Sequence, residues 1–278
     1  MKFDLFEKAK EKIIIVAHRG TFGANIPCNT IPAYKTAILE GADMIEIDVD
    51  ASRDGTLFIF HPGMEPVFLG TKTRLKEMSD EEVRAQRYIN YDNAPTAYGL
   101  NTLEEVFEEF KNKCFINVDK FWMNPEKIWK EVKRHNIEEQ ILVKSALNEN
   151  VITVLENIAP TAAFMPIVSR THPYHEKLLK SNINYVGAEC LFYEDSDEVC
   201  SHEFIERMHR DGKLTWANAI IYNYKEQIAA GHSDDTSIIT NPIDGWGWLA
   251  RRGFDFIQTD WVPQMHRYLK ENDLLFRK

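Results

Sequence analysis

The chain has 278 residues, of which 44% are hydrophobic and 12% aromatic, ample for a buried core and unlike a disordered segment. Its formal net charge of −10 argues against a surface that coats nucleic acid or adheres electrostatically to membranes, so any anionic ligand must be held by local features. Cys28, Cys114, Cys190 and Cys200 show no CxxC pairing, MKFDLFEKAKEK at the start has no apolar stretch, and no run reaches membrane-spanning length; these predict a cytoplasmic protein without a stable membrane anchor.

In chain order, the first strand-like run, Ile13–Ala17, ends in His18-Arg19-Gly20. Thr30–Glu40 reads as a helix stopped by Gly41. Met44–Val49 follows, with Glu46 and Asp48 on one strand face by the period of two. Arg53-Asp54-Gly55 then turns tightly into Leu57–Phe60, which ends in His61. So short a connection predicts an antiparallel hairpin. Residues 62–99 form an excursion with a short helix opened by the capping box Ser79…Glu82, and a second box, Thr102…Glu105, opens the next helix.

From there strand-like runs at Cys114–Asp119, Ile141–Ser145, Ala162–Ser169, Tyr185–Cys190, Leu214–Ile220 and Phe254–Asp260 alternate with helical patterns. The helices fall at Pro125–His135, Asn148–Ile158, Pro173–Ser181, Ser201–Arg210 and Pro263–Glu271. Setting Leu57–Phe60 aside leaves eight candidate parallel strands, which predicts an α/β fold: one (β/α)8 TIM barrel domain over residues 1–278 with an insertion at about 62–99. Chemistry in such barrels sits at the C-terminal strand ends, where His18, Glu46, Asp48, Asp119, Lys120, Lys144, Glu189 and Trp216 all fall.

Glu46 and Asp48 lie among apolar neighbours in a strand buried on both faces, so a solvated face does not account for them. With Asp119 they offer an all-oxygen set suited to one divalent cation, Mg²⁺ or Ca²⁺, although Asp119 could instead pair with Lys120. No His/Cys spacing suits structural zinc. His18 and His61 each end an apolar strand beside the carboxylates, which points to acid–base work near neutral pH. Arg19 beside Gly20 can grip a phosphate in bidentate fashion or form a rim ion pair. Trp216 and Phe22 read equally as packing or as a ligand wall.

His18-Arg19-Gly20, Asn29-Thr30, Gly41–Val49, Arg53-Asp54-Gly55 and His61, in this order, resemble the glycerophosphodiester phosphodiesterase family. Gly99–Val106 is similar to that family's return from its insertion, Val118-Asp119-Lys120 to its Glu-x-Lys strand, Leu214–Asn218 to its Trp-bearing strand and Ile257–Asp260 to its closing strand. The resemblance implies hydrolysis of small glycerophosphodiesters to glycerol 3-phosphate and an alcohol. It assigns the cation to Glu46, Asp48 and Asp119, the phosphate oxygens to Arg19 and Lys120 with Trp216 beside them, the base to His18 and the acid to His61. Three positions depart from the pattern: Cys28 replaces a Glu, Pro62 an Asp, and Asp119 a Glu. A phospholipase-type enzyme acting on lysophospholipids and a non-catalytic phosphate-binding barrel are the competing readings. The stretch Ile221–Asn241, long for the family, would lie on the active rim as a lid or contact surface.

Overall fold

The computed structural model describes residues 3–277. Helix α1 (Leu5–Glu11) is capped by Asp4, whose carboxylate accepts from the Phe6 and Glu7 N–H groups. Nine strands follow: β1 (Ile14–Ala17), β2 (Met44–Ala51), β3 (Leu57–Ile59), β4 (Phe115–Asp119), β5 (Ile141–Ser145), β6 (Ala163–Ser169), β7 (Gly187–Leu191), β8 (Leu214–Asn218) and β9 (Phe256–Thr259). Eight of them run parallel in the order β1-β9-β8-β7-β6-β5-β4-β2, and the pairing Val16↔Met44 between β1 and β2 closes the ring. Strand β3 pairs antiparallel to β2, Val49 facing Ile59, so the short turn makes the hairpin its length demands. The (β/α)8 barrel is therefore as the alternation of elements predicts.

Around the barrel lie α2 (Ile31–Leu39), α3 (Glu65–Phe68), α4 (Asp80–Ala85), α5 (Leu103–Phe110), α6 (Pro125–His135), α7 (Glu149–Asn157), α8 (His175–Leu179), α9 (His202–Arg210), α10 (Trp246–Arg252) and α11 (Val262–Glu271). Both capping boxes form. Ser79 Oγ accepts from Glu82 N–H at 3.2 Å while Glu82 accepts from Ser79 N–H at 2.7 Å, and Thr102 and Glu105 do the same at 3.2 and 2.9 Å. Helix α10 was not legible in the sequence. Its Trp-Gly-Trp start is poor in helix formers, and it is held by burial of Trp246, Leu249 and Ala250 instead of by propensity.

Two layers fill the barrel interior. Ile14, Val16, Met44, Phe115, Leu142, Leu214, Trp216 and Phe256 form an apolar floor, joined by Leu5 and Ala9 of α1. Two residues further along the same strands the inward positions turn polar: Glu46, Asn117, Lys144, Asn218 and Gln258, all buried. The insertion has a small core of its own, with Phe58, Phe60, Leu69, Leu75, Val83 and Tyr88, and the buried Glu65 carboxylate anchors it by accepting from Leu75 N–H at 2.9 Å.

Candidate active site

Strand β1 delivers His18 to the rim, and the backbone then enters the left-handed region at Arg19 (φ 57°) and Gly20 (φ 82°). A Cβ on Gly20 would stand 2.7 Å from the Ala33 carbonyl carbon, so only glycine lets the chain fold back onto α2. That reversal aims Arg19 inward. Its N–H donates to Glu46 Oε2 at 3.0 Å and its Nε lies 3.0 Å from Asp48 Oδ2. Asn29, also left-handed, ties the loop down: its N–H donates to the Arg19 carbonyl at 2.9 Å and its Nδ2 to Asp48 Oδ2 at 2.8 Å. Thr30 beside it caps α2.

The parallel register of β2 and β4 sets Asp48 opposite Asp119. One ligand oxygen each from Glu46, Asp48 and Asp119 lie within 4.8 Å of one another. Asp48 is fully buried, and its Oδ1 meets no hydrogen-bond donor among the described residues; Lys120 Nζ stands 3.8 Å away. Burial first, and the Asp48 charge second, push the Glu46 carboxyl up to about 7. For Asp119 burial acts upward, but the charge and hydrogen bond of Lys120 outweigh it and hold the carboxyl below its ordinary value. Neighbours on a strand point to opposite faces, so Asp119 and Lys120 could share a site only if the strand ended between them. It does: Lys120 takes φ 59°, which returns its Nζ to within 2.5 Å of Asp119 Oδ2. An oxygen-only donor set, an orphaned buried oxygen and a carboxylate raised by burial and by its neighbour all fit a hard divalent cation.

His18 Nδ1 lies 2.8 Å from Asp260 Oδ1, just past the end of β9. Burial opposes protonation of this imidazole, but the Asp260 hydrogen bond and charge, with Glu46, carry its pKa above the ordinary value. Asp260 was missed as a site residue, although its place two and four residues after the inward Gln258 and Phe256 was a usable signal. His61 is set beside Asp48 because Phe60 N–H donates to the Asp48 carbonyl at 3.0 Å. Its Nδ1–H donates to the Pro62 carbonyl at 3.0 Å, since a carbonyl can only accept, which leaves Nε2 as the free nitrogen. Burial, with Arg19 and Lys120 against Asp48, lowers its pKa.

Trp216 departs from the reading as a phosphate neighbour. Its ring is fully buried, stacked on Phe256 at 5.1 Å, and covered by Lys144 Nζ at 3.8 Å. Lys144 is paired with Glu189 at 2.9 Å, Asn218 donates to Glu189 at 2.7 Å, and Trp216 Nε1–H donates to Asn218 at 2.9 Å. The tryptophan sits in the barrel floor because strand β8 turns its inward position toward the interior well below the rim.

The model of the glycerophosphoryl diester phosphodiesterase family matches residues 18–262. The chain belongs to that family. A glycerophosphodiester phosphodiesterase of Caldanaerobacter subterraneus subsp. tengcongensis is 31% identical over 157 residues, 54% of this chain and 64% of that protein. One from Bacillus altitudinis is 31% identical over 140 residues, covering 47% and 57%. The chain thus spans somewhat under two thirds of the length of these curated relatives. The fold is shared with a Parabacteroides distasonis glycerophosphoryl diester phosphodiesterase at TM-score 0.80 and 17% identity, covering 96% of this chain and 91% of that one. It is shared as well with an Oleispira antarctica phosphodiesterase whose structure is a complex with the product sn-glycerol-3-phosphate, at TM-score 0.68 and 16% identity over 93% and 97% of the two chains.

Proposed function

We propose that the whole chain, as one domain, is a metal-dependent glycerophosphodiester phosphodiesterase that releases glycerol 3-phosphate and an alcohol. The reading rests chiefly on the convergence of three carboxylates, whose ligand oxygens lie within 4.8 Å of one another, with Arg19, Lys120, His18 and His61 at one rim. Glu46, Asp48 and Asp119 would hold one Mg²⁺ or Ca²⁺, which supplies charge neutralisation for the phosphodiester. Arg19 and Lys120 grip non-bridging oxygens, Arg19 with the planar fork that phosphate favours. His18 takes a proton from the nucleophile, the substrate's own 2-hydroxyl or water. Asp260 behind its Nδ1 raises its proton affinity and leaves Nε2 facing the diester. His61 gives a proton to the leaving alkoxide, and its low proton affinity favours that transfer. Trp216 serves this site from beneath, as a platform for Lys144.

Between the loop after β1 and the insertion lies a cavity of about 90 Å³ walled by Phe22, Ile26, Pro27, Val67, Phe68 and Tyr91. The insertion that follows His61 meets the loop after β1 across this cavity, which favours a small, soluble diester, and four free cysteines without CxxC pairing support a cytoplasmic hydrolase. A lysophospholipid reading has one observation in its favour: Tyr222, Tyr224, Ile238, Ile239 and Ile243, all exposed, lie on the connection between β8 and α10. Among the described residues no helix is long and apolar enough to cross a membrane. The test is release of glycerol 3-phosphate from glycerophosphocholine and from micellar lysophosphatidylcholine, each with EDTA and with Mg²⁺ or Ca²⁺ restored. Metal-dependent cleavage with a higher kcat/KM on the soluble diester is the expected result. Preference for the micellar lipid promotes the second reading, and full activity in EDTA removes the metal.

A further inference from the structure

The connection from β8 to α10 carries a buried carboxylate that the proposed chemistry does not use. Asp234 is 3% exposed, and its backbone N–H donates to the Ala219 carbonyl at 2.7 Å. Oδ1 accepts from Trp246 Nε1 at 2.6 Å and from Thr259 Oγ1 at 2.7 Å, while Oδ2 accepts from the Asp260 backbone N–H at 2.8 Å. Thr259 also accepts from Trp261 N–H at 2.9 Å, and its carbonyl accepts from His18 N–H at 3.1 Å. A charge buried beside the Asp260 carboxylate is costly, and three donors converging on it offset the cost. An asparagine would turn an NH₂ toward at least one of those donors, so the site demands a carboxylate.

We propose that Asp234 is a positioning residue for His18, acting through Asp260: it fixes the backbone from which the Asp260 carboxylate reaches His18 Nδ1. The segment 221–245 is then not simply a cover over the rim. Its outer part, with Tyr222 and Tyr224, is exposed, whereas Ser233, Asp234 and Ser237 are buried, and of these three Asp234 bonds Ala219 after β8 and Thr259 and Asp260 at the end of β9. This inference rests on the reading of His18 as a reacting histidine.

The test compares His18→Ala, Asp234→Asn and Ser237→Ala. Ser237 Oγ accepts from Trp246 N–H at 2.9 Å and donates to the Ser233 carbonyl at 2.8 Å in the same segment, and among the described residues it makes no hydrogen bond to Asp234, Thr259 or Asp260, so its loss controls for general loosening. Asp234→Asn should lower kcat about 10- to 100-fold with KM changed less than about threefold, as is usual for partners that orient a reacting ligand or imidazole. It should also shift or abolish the downfield ¹H resonance of the His18 Nδ1–H, assigned by its absence in His18→Ala. Ser237→Ala should lower Tm while keeping kcat and that resonance. If Asp234→Asn does not fold, Thr259→Val removes one clamp from the carboxylate and should give a several-fold kcat loss by the same route. Native kcat and an unmoved resonance in the Asp234 or Thr259 variant overturn the proposal, as does an equal kcat loss in Ser237→Ala. Turnover retained by His18→Ala instead overturns the reading of His18, whatever Asp234 does.

Discussion

The two halves of the barrel rim handle buried charge in opposite ways. The half built by β1, β2, β3 and β4 gathers Glu46, Asp48 and Asp119 and leaves Asp48 Oδ1 without a donor among the described residues. In the half built by β5, β7 and β8, Lys144, Glu189, Asn218 and Trp216 form a chain of contacts between 2.7 and 3.8 Å in which the buried Lys144 and Glu189 charges face each other at 2.9 Å. A fold at its stability optimum would have no reason for the first arrangement. Frustrated charge marks where a ligand is to be held, and satisfied charge marks where the ligand's surroundings are to be kept still.

That contrast breaks most plainly in activity. His18→Ala and His61→Ala should each lower kcat by at least about 10²-fold, the scale of general acid–base catalysis, with little change in Tm. Asp48→Asn should abolish measurable turnover, because Asp48 contacts Arg19, Asn29 and the proposed cation at once. Steady-state kinetics beside thermal melts check both claims. A variant that loses stability in step with activity would mean that the first half is structural after all.

The second half should fail in the opposite way. Lys144→Met strands the buried Glu189 carboxylate, and loss of one partner of a buried pair costs about 3–5 kcal/mol. Lys144→Met/Glu189→Leu should regain at least half of that in urea unfolding, because no charge is then left unpaired. If the single variant is as stable as the parent, the network does not stiffen the floor.

The sequence made the first half easy to read because its signals are local. His18-Arg19-Gly20 and Glu46-x-Asp48 each lie within a few residues, and the Arg53-Asp54-Gly55 turn determines how β2 and β3 pair. What the sequence hid is long-range. Asp260 meets His18 across 242 positions, and Asp234 meets Asp260 from a connection that the spacing of elements marked only as long. Trp216 was misplaced for a related reason: a strand-end position and an inward face were legible, but depth below the rim depends on the register of β8 against its neighbours. Lys120 shows a limit of another kind, since its left-handed backbone, unlike that of Gly20, is not announced by its residue type.

Glu46→Gln sharpens the comparison in the chelator-treated protein. Burial and Asp48 raise the Glu46 carboxyl in the folded chain to about 7, above its unfolded value of about 4.5. The folded state therefore holds the proton more tightly, its stability from this group is complete below the unfolded pKa, and it is lost as pH rises through about 7. At pH 8 the metal-free parent should be less stable than Glu46→Gln by about 2–3 kcal/mol, while the variant is inactive with metal restored. Equal stabilities at pH 8 would show that the carboxylates do not strain one another.

The second half carries a pH response of the opposite sign. His172 on the connection after β6 is buried, its Nε2 meets Tyr185 OH at 2.9 Å, and its Nδ1 has no partner among the described residues. Burial first, then His175 and Arg207, lower its pKa from about 6.5 to about 3. A depressed folded pKa gives stability that is present above the unfolded value of about 6.5 and is lost as pH falls toward about 3. By pH 5 this one imidazole should cost about 2 kcal/mol relative to pH 7.5. In the metal-free parent this loss runs against the gain from Glu46, so the two slopes partly cancel. Glu46→Gln removes the rising term and exposes the fall, and adding His172→Phe should flatten it. Urea unfolding of the two variants at pH 5 and 7.5 measures the difference, and an equal slope in both would move the acid sensitivity away from His172.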